Sequence, residues 1–286
     1  MQTSINMKKD VRELDLVTGG IPATDGDGVK MTRLIGTPEL NMLDPFLLLD
    51  AFESDQPQDY IGGFPSHPHR GFETVTYLLA GRMRHKDSAG HEGVIEAGGV
   101  QWMTAAKGIV HSEMPEQENG LLQGFQLWLN LPKSEKMNDP AYQEFSVNDI
   151  PVDRLENGSE IRVISGQTNQ GTKGPVINNY VNPIYMDITL PAGQQFEQTL
   201  NSSDNAFIYV IEGLLSVGEL QKTITNREMG ILGNGDQVSV TAKETSRFLL
   251  IAAQPLNEPV ARGGPFVMNT KAEVLQAFED FQNNRF

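Results

Sequence analysis

His67-Pro68-His69 and His111-Ser112-Glu113 place four side chains able to bind a metal in two pairs, each with one residue between its members. Successive residues of an extended strand point to opposite faces, so residues two apart share a face and each pair aims both side chains at one point. Two strands are then enough to build one site. Three imidazoles and one carboxylate form a mixed nitrogen and oxygen set that suits a first-row transition metal better than calcium or magnesium. Four protein ligands leave open positions on a metal that accepts six, an arrangement for chemistry. A structural zinc site instead closes as a tetrahedron, often with cysteine, and this chain has no cysteine. The plainer reading is that the histidines are satisfied by hydrogen bonds, because His-x-His also occurs on ordinary surfaces.

The elements that must hold these residues read as strands. Short β-rich runs alternate with Gly, Asn, Asp and Pro, and helical periodicity is nearly absent before the C-terminus, which is the pattern of sandwiches and barrels. Thr74 to Leu79, Arg82 to Asp87, Gly93 to Glu96 and Val100 to Thr104 form one series, and Leu121 to Leu131 adds a strand with Phe125, Leu127 and Leu129 on one face. A second series begins beyond residue 160. In it Ile184, Met186, Ile188 and Leu190 alternate with Tyr185, Asp187 and Thr189, which predicts one core face and one face outside the core.

The series look like copies of one unit. Tyr77-Leu78-Leu79-Ala80-Gly81 is echoed by Tyr209-Val210-Ile211-Glu212-Gly213, and Ile95-Glu96-Ala97-Gly98-Gly99 by Ile231-Leu232-Gly233-Asn234-Gly235. The offset puts residues near Thr199 to Asn201 where the first copy has His67 and His69. No histidine follows His111, so the second copy is read as a packing or recognition domain.

At 286 residues the chain exceeds the usual domain of about 100–200 residues, so two domains are expected. A net charge of −15 argues against binding bare nucleic acid, and the short basic run Arg82-Met83-Arg84-His85-Lys86 reads as a solvated strand or hairpin edge. The mixed charges of Met1 to Asp15 do not read as a secretory signal, and no apolar run approaches the roughly 20 residues that span a bilayer; a soluble, cytoplasmic protein is expected, without membrane association. His85 and His91 flank the Ser88-Ala89-Gly90 turn and are expected to be exposed, outside the site. Trp128 is read as core, while Phe64, Phe72 and Met114 suit core or pocket wall equally. Near the end, Val274, Leu275, Phe278 and Phe281 recur at helical spacing behind a Thr270/Glu273 capping box, which predicts an amphipathic helix docked on a barrel.

The stretch Gly62 to Tyr77, containing Phe64-Pro65-Ser66-His67-Pro68-His69-Arg70-Gly71-Phe72-Glu73, resembles the signature of the pirins, bicupins of the cupin superfamily. The resemblance continues through Gly108 to Pro115, Gln126 to Pro132, Lys136 to Pro140 and Gly264 to Thr270, and so covers the full length. It implies an all-β fold of two tandem cupin (double-stranded β-helix or jelly-roll) barrels with a C-terminal helix. Residues 1–133 would form the metal-binding cupin, 134–158 a linker, and 159–286 a second cupin without metal ligands that ends in the helix.

For the site, the resemblance implies His67, His69, His111 and Glu113 as ligands of Fe2+, other divalent transition metals being allowed. The broader superfamily pattern would nominate Glu73 instead; here Glu73 is expected to hold an imidazole from behind. Ala106 and Pro115 depart from the general cupin pattern without removing a ligand. Some pirins are quercetin 2,3-dioxygenases that open a flavonol ring with O2 and release carbon monoxide, the metal acting as a Lewis acid on the substrate hydroxyl and Glu113 detaching or taking the proton. Other pirins are described as nonenzymatic, iron-dependent regulators that bind a transcription factor or metabolic enzyme. A purely structural metal is the third reading. A phenolic substrate with O2, a protein partner in the regulatory case, and a monomer are the corresponding expectations.

Overall fold

The computed structural model describes residues 10–286. Residues 1–9, part of the stretch on which the reading of the leader rests, lie outside the described residues. Apart from one short 3-10 turn at Pro57–Asp59, the elements are strands and one α-helix, Lys271–Gln282. The fold is therefore mostly β, with two sandwich units of matching topology and a helix at the C-terminal end.

The histidine-bearing unit comprises Gly20–Ile150, Pro175–Val181 and Leu256–Phe286. Its larger sheet has seven strands in the order Ala141–Phe145, Val100–Thr104, Phe72–Ala80, Leu122–Asn130, Phe46–Ser54, Val29–Ile35 and Ile21–Asp25. Its smaller sheet runs Phe64–His69, Ile109–Pro115, Arg82–Asp87, Glu92–Glu96. Alternation sets the faces: along Leu122–Asn130, Phe125, Leu127 and Leu129 are buried, while Gln126 and Trp128 face the other way into a cavity.

The second unit comprises Met1–Gly19, Pro151–Gly174 and Asn182–Pro255, of which residues from Asp10 are described. Its seven strands, Leu14–Thr18, Met229–Leu232, Asn205–Glu212, Ser246–Ala253, Ile184–Leu190, Glu160–Ser165 and Val152–Arg154, follow the same spatial order as the first sheet. Its four-stranded sheet, Gln195–Thr199, Gln237–Ala242, Leu214–Val217, Lys222–Thr225, also matches. The sequence echo thus corresponds to a repeated topology. Met186, Ile188 and Leu190 enter the core as expected, but Tyr185 and Asp187 on the opposite face are buried too, Asp187 by a bidentate pair with Arg247 at 2.6 and 3.0 Å.

The units do not follow the boundaries 1–133 and 159–286. The N-terminal strand Leu14–Thr18 completes the second unit by pairing with Met229–Leu232, and Arg12 beside it is buried with its guanidinium donating to Gly235 O and Asn201 O at 2.8 Å each. The C-terminal helix belongs to the histidine-bearing unit, where it packs on the hairpin Ala261–Gly263/Phe266–Met268. Nor is 134–158 a plain linker: Ala141–Phe145 is an edge strand on Val100–Thr104, and Lys136 is buried. Composition alone marks these segments as polar, whereas their backbone hydrogen bonds are made with distant strands.

Candidate metal centre

Phe64–His69 and Ile109–Pro115 pair antiparallel with His67 opposite His111, so the register itself delivers three imidazoles to one place. Ring centroids lie 4.6 Å apart for His67 and His69, 4.4 Å for His67 and His111, and 5.0 Å for His69 and His111, and one nitrogen from each falls within 4.8 Å of the others.

Hydrogen bonds fix which nitrogen faces inward. A carbonyl only accepts, so His67 Nδ1–H donates to Pro65 O at 2.8 Å and His69 Nδ1–H to Pro265 O at 3.4 Å. In their neutral forms both Nε2 atoms then carry lone pairs, and they stand 3.0 Å apart, a repulsive arrangement unless a cation is shared between them. His111 Nε2 is buried and has no hydrogen-bond partner among the described residues. Burial pulls His69 down to about 3, with the neighbouring His67 adding to the effect, and lowers His111 well below the usual imidazole range. Buried imidazoles held neutral, with converging lone pairs and an orphaned Nε2, fit a divalent transition metal.

Glu113 lies on the same strand face as His111 but is not part of the three-histidine group. It is buried, and its carboxylate accepts from the Thr76 hydroxyl and from Gln126 Nε2, the latter at 3.3 Å. His67, His69 and Glu113 all line a cavity of about 740 Å³. Phe52, Phe64 and Leu48 supply apolar wall, and Arg33, held by Asp50 at 2.7 and 2.9 Å, supplies a polar one.

Several residues stand elsewhere than the spacing suggested. Glu73 does not hold an imidazole: it is buried on the opposite face of its strand, accepting from Thr104 Oγ1 at 2.8 Å and Asn178 Nδ2 at 2.5 Å. Counting parity from His69 fails because Arg70-Gly71 separates two strands that belong to different sheets. Trp128 is pocket wall as well as packing, its ring meeting Phe72 at 4.4 Å and His69 at 5.1 Å. His85 is not exposed; it is 2% accessible and its ring lies 5.4 Å from that of His111. The signal was available as alternation: Arg82 points outward to Glu96, Arg84 to Glu92 and Glu116, and Lys86 to Glu92, while Met83, His85 and Asp87 point inward. His91, by contrast, keeps 41% of its side chain exposed.

Residues 28–129 match the pirin family, and residues 185–286 match the pirin C-terminal cupin domain. The chain belongs to the pirin family. A pirin-like protein of Caulobacter vibrioides is 52% identical over 96% of this chain and 99% of its own length, and the pirin of Homo sapiens is 45% identical over 91% and 89%. Among solved structures, a quercetin 2,3-dioxygenase from Acinetobacter baumannii superposes with a TM-score of 0.88 at 35% identity, covering 96% of this chain and 98% of that one. Two cupin units in one chain are thus the family architecture. No helix among the described residues is long and apolar enough to cross a membrane.

Proposed function

We propose that this pirin is a metal-dependent dioxygenase that opens flavonol or quercetin-like phenols with O2, using Fe2+ held by His67, His69, His111 and Glu113. One observation carries the reading: three imidazoles bring one nitrogen each within 4.8 Å of the others beside a cavity of about 740 Å³ whose lining contains two of those imidazoles together with aromatic wall. That volume falls within the range of roughly 300–1,000 Å³ typical of small-molecule sites. The likeness to the Acinetobacter baumannii quercetin 2,3-dioxygenase supports the same substrate class.

When bound, the metal supplies a Lewis acid that lowers the pKa of a phenolic hydroxyl. The remaining work falls to the chain. Phe52, Phe64 and Trp128 offer flat apolar surfaces to a planar aromatic substrate and keep water from it. Thr76 and Gln126 orient the Glu113 carboxylate, which is placed at the cavity wall to accept the hydroxyl proton.

The test is to give the Fe2+-loaded protein a panel of flavonols under oxygen and follow O2 uptake and carbon monoxide release. Turnover is expected in the wild type and should drop at least about 100-fold in His67→Ala, His111→Ala and Glu113→Gln with the fold intact. Unchanged turnover in any of these removes that residue from the site. Silence of the metal-loaded wild type across the panel, with a protein partner retained in one iron oxidation state only, would favour an iron-dependent regulator instead.

A further inference from the structure

Asp87 and His85 lie behind His111, and the proposed reaction does not use them. They share the inward face of Arg82–Asp87, which pairs with Ile109–Pro115 so that Asp87 stands opposite His111 and His85 opposite Glu113. The Asp87 side chain is fully buried. Its Oδ1 accepts the backbone N–H of Ala89 at 2.9 Å and of His91 at 3.0 Å, while Oδ2 lies 3.1 Å from His85 Nε2. Tyr142 stacks on His85 with centroids 4.5 Å apart and planes 22° from parallel, which holds the ring in place.

We propose that Asp87 and His85 are positioning residues that fix His111 in the tautomer whose Nε2 binds the metal, an inference that rests on reading the three histidines as a metal site. A carboxylate can only accept, so His85 Nε2 carries the proton, and Nδ1 is the ring nitrogen turned toward His111. With His85 Nδ1 as the acceptor, His111 Nδ1, 3.5 Å from it, is the donor. With its proton on Nδ1, His111 keeps a bare Nε2, the buried atom that has no hydrogen-bond partner among the described residues, in a ring packed against those of His67 and His69. His67 and His69 are oriented by backbone carbonyls, whereas His111 depends on a two-residue relay of side chains.

Asp87→Asn is the discriminating variant. Two backbone donors hold the side-chain oxygen at the Oδ1 position, so the new amide nitrogen replaces Oδ2 and donates to His85 Nε2. The His85 proton is forced onto Nδ1, facing the Nδ1–H of His111. His85→Phe keeps the ring and deletes the acceptor.

Metal affinity of the full chain is measured by chelator competition with Fe2+ and Zn2+, and the ring tautomers are read from long-range 1H–15N correlation spectra of the diamagnetic Zn2+-loaded protein. Both variants should bind about 10- to 100-fold more weakly. In the wild-type spectrum His111 should be protonated at Nδ1 and His85 at Nε2. A wild type that binds neither metal overturns the site reading and this inference with it. A wild type that binds metal through His111 Nδ1, or an Asp87→Asn variant with unaltered affinity, overturns the positioning role alone. The wild-type spectrum decides the matter even if His85→Phe does not fold.

Discussion

Glu73 shows how much a single side chain's surroundings decide. Burial pushes its carboxyl up to about 7 against the hydrogen bonds from Thr104 and Asn178. The folded state therefore holds a proton that the unfolded chain, titrating near 4.5, releases earlier. The contribution is full below about 4.5 and is lost as pH rises through about 7, so stability should fall across that window. Denaturant titrations at several pH values should show this slope in the wild type and a flatter one in Glu73→Gln; an identical slope would rule the group out. Lys136 is the converse case. Its ammonium, pulled down to about 7 by burial, donates to Gly71 O and Asn130 Oδ1 at 2.6 Å each and to Val267 O at 3.1 Å. Lys136→Met would leave three buried acceptors unpaired and should destabilise the chain by about 2 kcal/mol or more, read as a shift in denaturant midpoint.

At the scale of elements, the C-terminal helix illustrates what periodicity conveys. Thr270 and Glu273 form the capping box that their spacing predicts, and Val274 is buried. Leu275, however, is 64% exposed, because the buried face is set by the hairpin beneath and centres on Val274, Ala277 and Phe278, the last 4.8 Å from Phe266. The helix reaches the metal strand through Arg70, the residue after His69, which pairs with Asp280 at 2.8 Å and lies 4.2 Å over the Phe286 ring. Asp280→Asn leaves the buried guanidinium without its counter-ion. It should cost about 3 kcal/mol in chemical denaturation, and an unaltered midpoint would show the ion pair to be dispensable. Gly71 sits in the same corner at φ +90°, where a Cβ would meet Val267 O at 2.0 Å. Gly71→Ala should therefore disturb His69 through backbone movement and weaken metal binding.

At the scale of the whole molecule, two units share a topology and only one carries histidines. In the second unit the matching strands, Gln195–Thr199 and Gln237–Ala242, turn Phe196, Gln198, Val238 and Val240 inward and carry no imidazole. The expected positions, Thr199 to Asn201, fall at and beyond the end of that strand, because residues 200–204 connect the strands where Arg70-Gly71 suffices in the other unit. Metal should therefore stabilise the protein through one site: at a free concentration about 100 times Kd it should add about 2.7 kcal/mol, reversibly with chelator, and His69→Ala should abolish the rise in thermal midpoint. The amino-acid order determined the strand alternation, the duplication, the helix cap and the shared face of each His-x-His or His-x-Glu pair, because these depend on spacing within one element. Only the tertiary structure decided that His85 and Asp87 stand behind His111, that Glu73 turns away from the imidazoles, and that the last 31 residues close the histidine-bearing unit. Those relations join segments that are far apart in the chain, and strand register and sheet membership, which no local pattern encodes, place them together.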